Sequence, residues 1–366
     1  MSLSFWEHDN YTNNSYLILG GGITGVSTAI SIKEKSPDQE VVICDSHFPP
    51  MGASTKNAGF FCFGSPGELL ADSAITSSEE CIRLIRMRWE GAMMLKERLA
   101  RYGVLPEICG GYELYDTPIF EADLIRANRL MYEALGIENY FERVTQSHFD
   151  GFSRDAIFTG YEGRLNPQMM MDILYKTAQA LGVKFIFGRK VEKIDVSSKS
   201  IVFTDCTKLK FNKLAICTNG FAAQFLPQKD VHPARNTVFV TEAITGLEWD
   251  GVYHYDRGYF YFRRVGNRIL VGGARNLEAE EEMTSSFGIN PKIRKHLTHF
   301  LYERILAGKA KPKIDYWWSG ILGVGKDKFP ILEEWDEDCF SAVRLGGMGV
   351  AIGCLLGDKL AEMMVR

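Results

Sequence analysis

The stretch YLILGGGITGVSTAI, residues 16–30, decides how the rest of the chain is read. Its first residues form a short apolar run expected of a buried strand, and residues 23–35 carry the pattern of a helix. Between them Gly20, Gly22 and Gly25 stand in the GxGxxG spacing. The first glycine permits a tight turn, the second lets a pyrophosphate approach the backbone, and the third allows close packing of helix on strand. The helix start, at Ile23 and Thr24, offers unpaired N–H groups and the positive end of a dipole.

The next strand, EVVICD at 40–45, ends in Asp45 and is followed by Ser46. A carboxylate there accepts hydrogen bonds from a ribose 2′-hydroxyl and repels a 2′-phosphate. Strand, loop, helix, strand and terminal acid together mark a dinucleotide site, without choosing between FAD and NAD. No second GxGxxG follows a strand later in the chain, and CxxC is absent. An enzyme with two nucleotide domains, or a disulfide reductase, is therefore not expected.

Further out, the pattern predicts helices over 78–102, 119–135, 166–181, 290–306 and 350–364, with strand-rich, aromatic sequence over 232–274. A Gly/Ser-rich stretch, MGASTKNAGFFCFGSPGELL, separates the first βαβ unit from the helix at 78. The alternation of the two sequence characters, with no linker between them, favours interleaved domains. At 366 residues, 46% hydrophobic and 24% charged, the composition is that of an ordinary globular protein. A net charge of −4 gives no reason to expect nucleic-acid binding. No apolar run approaches the roughly 20 residues of a membrane span. Eight cysteines, several inside apolar runs, read as reduced thiols and suggest a cytoplasmic location. His296 and His299 lie three apart on one helix, too few for a metal site, so none is expected.

The segments GGGITGVSTAI, VVICDSHFPPMGASTKNAGFF, WWSGILGVGKDKFPIL and RLGGMGVAIGCLLGDKLAEMM follow one another as in the D-amino-acid oxidase-like flavoproteins, which the chain resembles over nearly its whole length. The resemblance implies a mixed α/β (α+β) fold with a Rossmann-like FAD-binding domain interleaved with a substrate domain on a mostly antiparallel sheet. The expected divisions are 12–84, 156–231 and 316–366 for the first, and 85–155 and 232–315 for the second. It implies FAD as the cofactor, its pyrophosphate and ribose at the glycine loop and Asp45. Ser54, Thr55, Asn57, Ala58 and Gly59 would pass the pyrophosphate and flavin ring. Val191, Thr218, Asn219 and Gly220 would lie at the adenine side, with Gly320, Gly347, Met348, Gly349 and Val350 at the ring. Attachment is expected to be non-covalent, because the loop at 320–330 holds no cysteine.

The implied chemistry is oxidation of a C–N bond in an amine or amino acid, with hydride transfer to flavin N5 and oxygen or another group as electron acceptor. Oxidation of a C–O bond, as in 2-hydroxy acids, and a non-catalytic or partner-dependent subunit are the alternatives. Relatives carry a carboxylate-clamping arginine shortly after the glycine matching Gly320; here the position is Leu322, which cannot make those bonds. Tyr255, Tyr261, Arg263 and Lys326 are the candidates for substrate contact. Strand alternation sends Arg263 and Arg264 to opposite faces, so at most one qualifies. Oligomeric state is left open.

Overall fold

The computed structural model describes residues 4–6 and 15–366. The opening stretch folds into the strand Tyr16–Leu19, a turn and the helix Ile23–Lys35, which buries every residue from Ile23 to Ile32. Small and apolar side chains fill that helix because neighbours surround it. The strand lies at the centre of a six-stranded sheet ordered Ile331–Asp336, Cys339–Val343, Lys213–Ile216, Tyr16–Leu19, Val41–Asp45, Lys184–Phe187. All pairs are parallel except the edge pair at 331–343.

Alternation divides this sheet cleanly between two covers. Ile18, Ile43 and Ala215 join the helices Ile23–Lys35, Pro167–Ala180 and Gly349–Val365 in one core. Leu17, Leu19, Val42 and Cys44 point the other way, onto an antiparallel sheet of Val191–Asp195, Ser200–Phe203 and Lys208–Lys210. The long helix Ser78–Ala100 opens with a capping box between Ser77 and Glu80 and buries Ile85, Ala92 and Leu95 in the first of these cores.

An eight-stranded sheet runs Ile314–Val324, His232–Thr241, Arg268–Gly273, Phe260–Val265, Val252–Tyr255, Gly111–Leu114, Asp155–Thr159, Glu142–Thr145. Only the pair 111–114 with 252–255 is parallel. Its outer face carries Phe239, Tyr253, Phe262 and Ile269 against Phe149, Trp249, Phe300 and Leu301. Its inner face presents Val238, Tyr261 and Leu270 to Ala58 and Phe60 of the first unit.

Three features depart from the sequence expectations. The Gly/Ser-rich stretch contains a helix, Pro66–Ile75, capped by Ser65, whose hydroxyl accepts the Glu68 N–H. The helix expected over 290–306 is α only across Pro291–His299 and continues as a π-helix, Phe300–Ile305, with Phe300, Leu301 and Ile305 buried against the outer sheet face. The expected cuts at 85, 156 and 316 fall inside the helix Ser78–Ala100 and the strands Asp155–Thr159 and Ile314–Val324. Both strands hydrogen-bond into the eight-stranded sheet.

Candidate cofactor and substrate site

A cavity of about 480 Å³ opens at the C-terminal ends of the central parallel strands, where open α/β sheets place their ligands. Its volume falls within the roughly 300–1,000 Å³ usual for small-molecule sites. Of the residues expected at a cofactor, Gly20, Gly22, Ile23, Thr24, Asp45, Ser46, Ser54, Asn57, Val191, Thr218, Asn219, Gly347, Gly349 and Val350 line it.

The glycine loop is built as its spacing requires. Gly20 has φ +106°, and a Cβ on Gly25 would sit 2.0 Å from the Gly20 carbonyl oxygen. The helix that follows has no side-chain cap and no acid in its first turn, which leaves its positive end free for an anion. Asp45 is oriented by two backbone donors: Gly21 N–H gives to Oδ2 at 2.9 Å and His47 N–H to Oδ1 at 3.0 Å. Ser54 Oγ accepts the Ile23 N–H at 2.9 Å, joining the second segment to the loop. Asn57 closes its own turn, donating to the Ala53 and Ser54 carbonyls and accepting the Gly59 N–H. Asn219 Oδ1 accepts the N–H groups of Arg344 and Leu345 and so holds the glycine turn before the last helix against the first sheet.

The remaining expected residues stand behind this wall. Thr55 belongs to the short helix Ala53–Lys56, and Gly320 lies over it, 3.0 Å from a Cβ position to Lys56 Cβ. Gly220 backs onto the Leu322 carbonyl, Gly59 onto the Leu165 carbonyl, and Met348 is the N-cap of Gly349–Val365. The Ala58 carbonyl accepts the Arg263 Nε–H at 2.6 Å.

Sequence reasoning missed several lining residues. Arg189 and Lys190 follow the strand Lys184–Phe187, and Arg189 stacks 4.0 Å over Phe203 while pairing with Asp205. Phe221, Gln224 and Phe225 come from the turn after Thr218, and Ser285 and Phe287 from the second unit. The run GRK at 188–190 was a readable cue; the turn and the loop carry no motif.

The cavity fits an extended dinucleotide. Besides the glycine cradle, the buried Thr218 hydroxyl has no protein partner, and a second uncapped helix start, at Gly349, faces the same space. Both can serve a ligand's polar atoms.

The four substrate candidates separate. Tyr261 and Arg263 lie on the inner sheet face, Tyr255 on the outer one, packed with Phe152 and Phe300. The Tyr255 hydroxyl donates to Asp116 at 2.8 Å, which places it away from the cavity as part of the outer layer. Lys326 is exposed in the turn after Ile314–Val324, its N–H on Asp230, outside the cavity wall. Arg263 is buried and gives its N–H groups to the carbonyls of Ala58, Arg264 and Leu165. Burial, with Arg164 adding to it, lowers its pKa to about 10. Arg264 turns outward, to the Leu247 carbonyl.

Tyr261 lies across Gly272 and meets Phe60 edge-on at 5.4 Å. Its hydroxyl accepts from Asn236 Nδ2 at 3.0 Å, while Asn236 Oδ1 is buried without a partner. Burial raises the Tyr261 pKa far above its ordinary value, so the phenol stays a neutral donor. Val238, Leu270, Phe60 and Trp318 make the surroundings apolar, and Trp318 Nε1 ties the sheet to the Lys56 carbonyl at 2.9 Å. Leu322 lines the cavity beside Gly347.

This pairing of a glycine-loop nucleotide unit with a covering antiparallel sheet is that of the FAD dependent oxidoreductase family, which the chain matches over residues 15–363. The chain belongs to that family and is an FAD-dependent oxidoreductase. It is 21% identical to the probable oxidoreductase OrdL of Haemophilus influenzae over 370 residues, covering 95% of this chain and 82% of that one. Solved structures share the fold at lower identity. The L-proline dehydrogenase of P. horikoshii superimposes with a TM-score of 0.76 at 15% identity, over 97% of this chain and 94% of that one. The glycine oxidase of Geobacillus kaustophilus gives 0.74 at 18%, over 95% and 94%. The iminodiacetate oxidase of Chelativorans sp. BNC1 gives 0.73 at 18%, over 96% and 95%.

Among the described residues no helix is long and apolar enough to cross a membrane.

Proposed function

We propose that this flavoprotein oxidises the C–N bond of an amine or amino acid. The observation that carries the reading is the inner sheet face that packs on Ala58 and Phe60. It is apolar apart from the Tyr261 hydroxyl and the Asn236 amide oxygen, which is buried without a partner, and the Arg275 guanidinium acts on Tyr261 from nearby. Leu322 occupies one possible anchor, and Arg263 is committed to carbonyls. The structural neighbours act, by name, on proline, glycine and iminodiacetate, which favours nitrogen-bearing substrates over hydroxy acids.

When bound, FAD supplies a two-electron acceptor for the hydride of the carbon next to nitrogen. The chain's own residues have the narrower task of orienting a neutral amine and excluding water. In this reading the Asn236 amide oxygen accepts an amine N–H, while the Tyr261 hydroxyl donates to a second polar atom. Phe60, Val238, Leu270 and Trp318 pack the carbon skeleton. No strong protein base is required, because the amine enters uncharged. The glycine loop, Asp45, Thr218 and the start of the last helix hold the dinucleotide without a covalent bond. Cys217, in the cavity wall, is buried and its pKa is raised to about 12, which leaves it an unreactive thiol. All eight cysteines are free, in keeping with a reducing, cytoplasmic setting.

The test is anaerobic mixing with panels of amines, N-alkyl amino acids, free amino acids and 2-hydroxy acids, following loss of the visible flavin absorbance. Bleaching by amines, with a carbonyl product after imine hydrolysis, supports the reading; bleaching by hydroxy acids alone sinks it.

A further inference from the structure

Beside Phe60, outside the lining of the cavity, three side chains from distant parts of the sequence meet. Cys62 follows the strand Phe60–Phe61, and Glu162 precedes the strand Gly163–Arg164 that pairs with it. His254 stands on Val252–Tyr255, with its ring edge-on to Phe60 at 5.2 Å. We propose that Cys62, Glu162 and His254 form a buried site for a divalent cation of the zinc class.

The donor set and its dimensions both point there. One sulfur, one carboxylate oxygen and one imidazole nitrogen lie within 4.8 Å of one another. His254 Nε2 and Glu162 Oε2 are 3.3 Å apart. Tetrahedral coordination with zinc–nitrogen and zinc–oxygen bonds of about 2.0–2.2 Å sets those two atoms about 3.3–3.5 Å apart, so this edge is already in place. A thiolate at about 2.3 Å from the metal belongs about 3.6 Å from each of them, inside the 4.8 Å within which all three atoms lie.

His254 is 7% exposed and Glu162 1%, and Nε2 of the histidine meets the Glu162 carboxylate in an ion-pair contact rather than a well-directed hydrogen bond. Glu162 Oε1 is fixed by the Phe63 N–H at 2.9 Å, the kind of supporting bond that holds a metal ligand in position. Without a cation, burial and then the neighbouring Glu162 push the Cys62 pKa well up. That argues against a cysteine nucleophile, which needs a stabilised thiolate. A thiolate, a carboxylate and a neutral imidazole together balance a doubly charged ion. The site would link the strand leaving the cofactor unit to the sheet covering it, and its existence does not depend on the substrate reading.

The experiment uses the untagged, full-length holoprotein purified from zinc-supplemented growth. Elemental analysis should find close to one zinc per chain. Exchange into cobalt(II) should give a thiolate-to-cobalt charge-transfer band. Cys62→Ala and His254→Ala should each lose the metal while keeping visible flavin absorbance, and His296→Ala, at a half-buried histidine paired with Glu278, should keep it. If an alanine variant fails to fold, X-ray absorption of the wild-type metal decides, by the presence or absence of one sulfur in its shell. Protein with far less than one metal per chain and no cobalt band overturns the proposal. So does bound metal that persists in Cys62→Ala or lacks a sulfur ligand.

Discussion

A methyl group on Gly25 has nowhere to go, because the Gly20 carbonyl oxygen already occupies its place at 2.0 Å. Gly25→Ala is therefore expected to push the helix away from the strand, costing about 1–3 kcal/mol, and to yield protein that loses flavin on gel filtration. Leu322 supplies a second test. Leu322→Arg puts a guanidinium at the cavity wall and should confer binding of a simple carboxylate such as benzoate, seen as a shift in the flavin spectrum. The gain should be ~10-fold or more, since a charged hydrogen bond is worth about 1.5–3 kcal/mol. A wild-type protein that binds benzoate as tightly would show that a clamp already exists elsewhere. At this scale the tight turn at Gly20 and the close approach at Gly25 were legible because the GxGxxG spacing dictates them. Tyr255 and Tyr261 were not separable. Alternation puts His254 and Tyr255 on opposite faces, but which face meets the flavin unit depends on Phe60, nearly two hundred residues earlier in the chain.

Between elements, the first and last helices are joined at their surface by Lys35 and Asp358, 2.6 Å apart. Burial alone would raise the Asp358 pKa, but hydrogen bonds from Lys35 and Ser31 outweigh it and the net shift is downward. A lowered carboxylate contributes stability above its unfolded value and loses it as pH falls through the folded one. Asp358→Asn should thus cost about 0.2–1 kcal/mol near neutrality, with the deficit shrinking as pH falls below 3.8, the ordinary value. Urea melts of both proteins at several pH values measure it, and a difference independent of pH would contradict the assignment. Local signals read such elements well when they carry caps. The helix Pro66–Ile75 had its cues in Ser65, Pro66 and Glu68, masked by surrounding glycines. The π-helical continuation after His299 had none, since only packing on the outer sheet face favours it.

For the molecule as a whole, stability should follow the concentration of the cofactor. Free FAD at a hundred times its dissociation constant adds about 2.7 kcal/mol to a protein that binds it non-covalently. The melting temperature should rise with added FAD, and acid precipitation should leave the yellow colour in the supernatant; flavin retained in the pellet would mean a covalent link. Fold class and interleaving were readable from the order of motifs, whereas the cuts near 85, 156 and 316 were not. Those positions lie in elements whose allegiance is set by long-range pairing, such as Asn236 with Gly320. The cavity draws on Gly20 and on Val350, near opposite ends of the sequence. At about 5–20 residues per second, a ribosome needs from roughly a quarter of a minute to a minute to travel between them. A nascent chain exposes its phosphate loop throughout that interval without the turn that closes the far side. With flavin held there as proposed, its capture would be a late event in biosynthesis, and cells short of riboflavin would accumulate completed but unloaded chains.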